Sequence, residues 1–176
     1  MKVLIVVDML NDFVDKTGVL NFEAARDIIP FIKKRINEYR KTGNYIIFLQ
    51  DWHKKNDKEF ERHPEHALED TWGAEIIPGL NIDYKMQTII KKQRYSGFYG
   101  TNLEDQLKSL KILYGPIELV EVIGVCTSIC VMDTVGGLVN RDYNVVIPEA
   151  GVADFDFNEH HNAIGRMENL YGAKIV

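Results

Sequence analysis

The chain of 176 residues has only two cysteines, and no apolar stretch approaches the roughly 18 residues that a membrane span requires. Cys126 and Cys130 stand four apart on one turn, which gives neither a disulfide framework nor a C-x-x-C redox pair. Met1-Lys2 leads straight into an apolar run, so no signal peptide is expected. The reading is a cytoplasmic chain with reduced thiols and no membrane partner. No Lys/Arg cluster is set among aromatics and the net charge is -5, which argues against nucleic acid. No G-x-G-x-x-G or P-loop follows any apolar run, which weakens a nucleotide-binding reading. Repeats, low-complexity tracts and linkers are absent as well. With 45% hydrophobic and 27% charged residues, 1–176 reads as a single domain with a full core.

What is present is an alternation. Strands are predicted at 2–8, 45–50, 88–91, 117–124, 144–147 and 174–176. Helices are predicted at 22–41, 101–113, 128–140 and 158–171. Ile28, Ile29, Ile32, Ile36 and Tyr39 fall near helical spacing in the first helix, which Gly43 ends, and Leu103, Leu107 and Leu110 share one face of the second. Strands alternating with helices predict a three-layer α/β/α sandwich with a mostly parallel, doubly wound sheet. The irregular stretch 52–85, too long to be idle in a compact domain, is expected to be functional.

The strands end on chemistry. Val3–Val7 runs into Asp8, Tyr45–Leu49 into Gln50-Asp51-Trp52-His53, and Thr88–Ile90 into Lys91-Lys92. Leu119–Val125 is followed by Cys126-Thr127-Ser128-Ile129-Cys130. Ligands of open parallel sheets bind beyond the carboxyl ends of the strands, so an acid, metal-type ligands, a base and a thiol gather on one edge. Thr127 or Ser128 is expected to cap the last helix and place Cys130 in its first turn, where free amides and the helix dipole favour a thiolate. A lone cysteine is more often a small buried hydrophobe; the company of Asp8, Lys92 and the histidines makes it a candidate nucleophile. Alternation allows only one of Lys91 and Lys92 to face the site.

Five segments in order resemble the isochorismatase-like cysteine hydrolases, and among them the nicotinamidases. They are Val7-Asp8-Met9-Leu10-Asn11-Asp12-Phe13, Asp51-Trp52-His53, His66 through Glu75, Lys92-Gln93-Arg94-Tyr95-Ser96-Gly97-Phe98, and Gly124 through Val131. The resemblance implies a triad of Asp8, Lys92 and Cys130, Lys92 being the lysine three before Tyr95-Ser96-Gly97-Phe98. It also implies a cis peptide between Val125 and Cys126, and an oxyanion hole from the amides of Cys126 and Cys130. Asp51 and His53, two apart on an extended segment, project to one side, and His66 supplies a third donor. This set suits one divalent transition metal, zinc first, with iron or manganese as the other choices. Glu59, Glu61 and Glu65 are all placed to support it, and spacing does not choose among them.

Phe13 and Tyr95 are the aromatic walls that the resemblance implies. Two departures stand out. Ser128 stands where many relatives carry Asp, and His63 stands where nicotinamidases carry an aromatic or bulky apolar wall residue. The expected activity is hydrolysis of a small amide through a thioester on Cys130, nicotinamide to nicotinate and ammonia first. The alternatives are a family amidase or ureido hydrolase on another small amide, or a catalytically degenerate small-molecule binder. A homo-oligomer is expected.

Overall fold

The computed structural model describes residues 1–80 and 84–176. Among these residues seven strands form one sheet: β1 (Lys2–Val7), β2 (Tyr45–Asp51), β3 (Gln87–Lys92), β4 (Leu119–Val125), β5 (Val145–Ile147), β6 (Val152–Ala153) and β7 (Lys174–Ile175). Their order is β3-β2-β1-β4-β5-β7, with β6 paired to β4, and every strand pairing among the described residues is parallel. Among the described residues six helices connect them: α1 (Asn11–Val14), α2 (Glu23–Asp27), α3 (Ile29–Lys41), α4 (Leu103–Tyr114), α5 (Met132–Val139) and α6 (Phe157–Asn169).

Period-two alternation sorts the strand residues between two cores. Val3, Ile5 and Val7 of β1 join Val120 and Val122 of β4 and the apolar faces of α4, α5 and α6. Leu4 and Val6 point the other way, toward Ile32, Ile36 and Tyr39 of α3. Glu121 of β4 also faces α3, where Arg35 pairs with both its oxygens and Tyr39 donates at 3.1 Å, so the buried charge is satisfied. The three-layer, doubly wound reading is the architecture found.

Two local expectations need correction. The helix expected over 22–41 is two helices broken at Ile28, because Pro30 has no N–H and its ring would meet the carbonyl four residues back; it sits in the first turn of α3 instead. The short elements α1 and β6 carry too few residues to show a period. The expected helix over 128–140 begins as a five-residue π-helical turn, Thr127–Val131, before α5.

Beyond β1 the chain turns outward to β2 and β3 on one side, and to β4, β5 and β7 on the other. The crevice at such a reversal is where open α/β sheets bind ligands. Here it lies between the ends of β1 and β4, at Asp8 and at Cys126–Cys130.

Candidate active site

Asp8 follows β1 with a φ of +48°, a left-handed conformation that non-glycine residues seldom adopt outside turns and functional sites. Its amide donates to the Leu49 carbonyl at 3.1 Å and its carbonyl accepts from the Leu10 amide at 2.7 Å. Its carboxylate is thereby directed across β2 toward β3. Oδ1 accepts from the Asp51 amide at 3.0 Å, and Oδ2 lies 2.8 Å from Lys92 Nζ.

Lys92 ends β3 in register with Asp51. Strand alternation separates the two lysines: Lys92 is 1% exposed, whereas Lys91 faces out with its ammonium 3.4 Å from the centre of the Trp52 ring. The Lys92 ammonium contacts Asp8, donates to Asp51 Oδ1 and lies 3.5 Å from Cys130 Sγ. The three expected triad side chains therefore meet on one cation. A carboxylate oxygen of Asp8, one of Asp51 and the Cys130 sulfur all lie within 4.8 Å of one another.

Gly124 brings β4 close to β1. Its φ is +119°, and a Cβ there would stand 2.1 Å from the Val7 carbonyl oxygen. The Val125–Cys126 peptide that follows is cis. The expected hydroxyl cap on the nucleophile turn is not found. Asp154 accepts from the Ser128 amide at 2.7 Å, and the Thr127 hydroxyl is 2.9 Å from His160 Nδ1. Sequence reasoning missed Asp154 because it lies 26 residues further along, beyond β6.

Burial opposes the expected depression of the thiol. Burial raises the Cys130 pKa well above its ordinary value, and the opposing pull of Lys92 is smaller. Burial and the adjacent Asp51 push Asp8 up to about 7 against Lys92. A thiol whose burial disfavours its ionised form thus stands beside a carboxylate shifted toward neutrality, a pairing suited to moving a proton from sulfur to oxygen.

Asp51 belongs to a second cluster as well. Its Oδ2 is 3.6 Å from His53 Nε2, and single donor atoms of Asp51, His53 and His66 lie within 4.8 Å of one another. Both imidazoles are anchored through Nδ1: His53 to Asp57 at 3.1 Å, and His66 to the Pro64 carbonyl at 2.8 Å. Both therefore turn Nε2 inward. That of His53 is fully buried and has no hydrogen-bond partner, which a buried polar nitrogen rarely tolerates unless a ligand completes it. One carboxylate and two imidazoles so arranged fit a divalent transition ion. Glu59 is buried with Oε1 3.8 Å from His66 Nε2, while Glu61 and Glu65 are exposed, so geometry singles out Glu59.

The loop 52–85 supplies this wall, chiefly through a 3-10 turn at Lys58–Glu61 that presents Glu59 and Phe60. Phe60 packs edge-on against both His53 and His66. Asp12 anchors the return of the loop, its Oδ2 accepting from the Ala67 amide at 2.7 Å beside His66. Asp57, Phe60 and the anchoring role of Asp12 carried no sequence signal, because a loop without period hides which side chains point inward.

A cavity of about 380 Å³ opens onto these groups, lined among others by Phe13, Tyr95, Asp51, His66 and Cys126. His63 lies at its mouth, exposed, with Nε2 3.4 Å from the Tyr95 hydroxyl. Arg94 is not part of this cavity and pairs with Asp57.

An isochorismatase domain model matches residues 2–176. The chain belongs to the isochorismatase family. Its structure is similar to that of nicotinamidase PncA from Bacillus subtilis, with a TM-score of 0.91 and 31% identity over 99% of this chain and 98% of that one. It is also similar to the pyrazinamidase of Pyrococcus horikoshii solved in complex with zinc, with a TM-score of 0.90 and 29% identity over 99% and 98% of the two chains. A probable inactive nicotinamidase of Arabidopsis thaliana is 30% identical over 95% of this chain and 88% of that protein. Among the described residues, no helix of this family member is long and apolar enough to cross a membrane.

Proposed function

We propose that this isochorismatase-family protein is a metal-containing cysteine amidohydrolase whose leading reaction converts nicotinamide and water to nicotinate and ammonia. The observation that carries the reading is the contact of two clusters through one residue. Asp51 touches both the lysine beside Cys130 and the histidine pair, inside a cavity walled by Phe13 and Tyr95.

Asp8 takes the Cys130 proton as the sulfur attacks the amide carbonyl, and Lys92 balances the charge that remains. The amides of Cys126 and Cys130 stabilise the oxyanion. Asp8 returns the proton to the departing nitrogen, ammonia leaves, and a thioester on Cys130 remains. Water activated by the same carboxylate then releases the acid. Asp51, His53 and His66 would hold one divalent ion, zinc first, with Glu59 in support. When bound, such an ion supplies a Lewis-acid position for a lone pair on the substrate ring. The complete triad speaks for catalysis rather than a degenerate binding protein.

The exposed imidazole of His63, close to the Tyr95 hydroxyl, favours a second reading on the same machinery, a small amide with a polar tail. Ammonia release from a panel of aromatic amides and ureido compounds, with Cys130→Ala as the control, tests both. Release that persists in Cys130→Ala would remove the cysteine mechanism.

A further inference from the structure

We propose that Asp57 is the positioning residue of the metal centre, fixing the His53 ring so that Nε2 is presented to the ion, while Arg94 holds Asp57 in place. The inference rests on the metal site of the proposed function and adds how that site is built.

The two oxygens of Asp57 have separate tasks. Oδ1 accepts from the Glu59 amide at 2.9 Å and so caps the 3-10 turn that carries Glu59 and Phe60. Oδ2 stands 3.1 Å from His53 Nδ1. An ionised carboxylate only accepts, so Nδ1 carries the hydrogen and Nε2 is left with its lone pair. That nitrogen is the buried one without a partner. Arg94 Nη1 reaches both oxygens, at 3.0 and 2.9 Å, from the segment that follows β3. The Asp57 side chain is only 4% exposed although most of its loop faces solvent.

The two histidines are thus oriented unequally. His66 donates to a neutral carbonyl, whereas His53 donates to a carboxylate held by a guanidinium. A carboxylate behind a ligating imidazole fixes its tautomer and raises its basicity, and its loss typically weakens metal affinity by about 10- to 100-fold. Among the described residues His53 Nδ1 has no second hydrogen-bond partner that could replace Asp57, and Phe60 only packs edge-on against the ring. Arg94 joins this arrangement to the strand that carries Lys92, two residues earlier.

The discriminating variant is Asp57→Ser. Serine is as good a helix cap as aspartate, so the turn survives while the contact to His53 is lost. Purified protein would be stripped of metal and titrated with cobalt(II), reading the dissociation constant and the visible absorption bands. Wild type should bind one cobalt and His53→Ala none. Asp57→Ser should bind about 10- to 100-fold more weakly, with shifted bands and an unchanged far-ultraviolet dichroism spectrum. Asp57→Asn, which keeps the shape without the charge, answers the same question if the serine variant fails to fold. Wild-type affinity and bands in the folded variant would overturn the role of Asp57 alone. Wild-type protein that takes up no cobalt would overturn the metal site and this inference together.

Discussion

Asp51 grips Lys92 with one carboxylate oxygen and turns the other toward His53 Nε2, 3.6 Å away. Burial disfavours its charge, yet Lys92 and His53 together hold its carboxyl below the usual range. Lys92 in turn is stabilised as a cation against its burial, by Asp51 first and then by Asp8. Cys130 and the histidine pair therefore share one electrostatic network. A change at Asp51 removes a counter-charge from Lys92 and a donor from the histidine cluster together, so its effects will not divide cleanly between catalysis and metal binding.

Cys130 and Cys126 separate more cleanly. The Cys130 sulfur lies 3.5 Å from Lys92 Nζ, while Cys126 enters the proposed chemistry through its backbone amide. Cys130→Ala is expected to abolish ammonia release, and Cys126→Ala to retain substantial turnover. Trapping a thioester by mass spectrometry should label Cys130 alone. A label on Cys126 would reassign the nucleophile.

Lys92→Ala should cost both activity and stability. It leaves Asp8 and Asp51 buried without their cation, a change worth about 3–5 kcal/mol when one partner of a buried pair is removed. Turnover should fall by orders of magnitude. Lys91→Ala loses only an exposed contact over Trp52, about 0.5–1 kcal/mol, and should be nearly silent. Denaturant titration beside a rate assay checks both, and a reversed ranking would break the assignment of Lys92.

Why was so much of this legible beforehand? Strand ends carry the site, and strand alternation is the strongest pattern in the chain. It placed Asp8, Asp51 and Lys92 on one edge and allowed only one of Lys91 and Lys92 to face it, while the resemblance chose Lys92, three before Tyr95. The resemblance then supplied what no period contains: the pairing of His66 with Asp51 and His53, and the cis peptide before Cys126. The helix-end argument for a thiolate left out the burial of Cys130, because position in a turn says nothing about depth. Asp57, Asp154 and Phe60 were missed because each acts across a loop or from a distant element, where only the folded chain reveals the neighbour.

Gly124 offers a test of the backbone. A Cβ there would stand 2.1 Å from the Val7 carbonyl oxygen, within the β1–β4 pairing that carries Asp8 and the cysteine turn. Main-chain atoms on both strands cannot yield without parting the sheet. Gly124→Ala is expected to destabilise by more than about 4 kcal/mol, in the range reserved for severe core defects. Gly43 has a φ of +67° with open space around it, so Gly43→Ala should cost only about 1–2 kcal/mol. Comparable midpoints for the two variants in urea would show that the strands can separate more easily than their packing implies.

Substrate choice is the sharpest remaining test. The cavity offers Phe13 and Tyr95 as faces, Cys126 beside the nucleophile turn, and Asp51 and His66 at the metal cluster. A flat ring carrying a carboxamide and a nitrogen lone pair would meet all three kinds of group at once. Nicotinamide and pyrazinamide should both release ammonia. Benzamide keeps the ring and the amide but lacks the nitrogen, so it should be much poorer, and the gap should close when metal is removed by chelation because the rates on the first two fall. His63 and Tyr95 meet at the cavity mouth; His63→Phe restores an aromatic wall and should lower KM for nicotinamide more than it alters kcat. If benzamide or a linear ureido compound is turned over best, the pyridine reading is lost, and the triad of Asp8, Lys92 and Cys130 is left serving a different small amide.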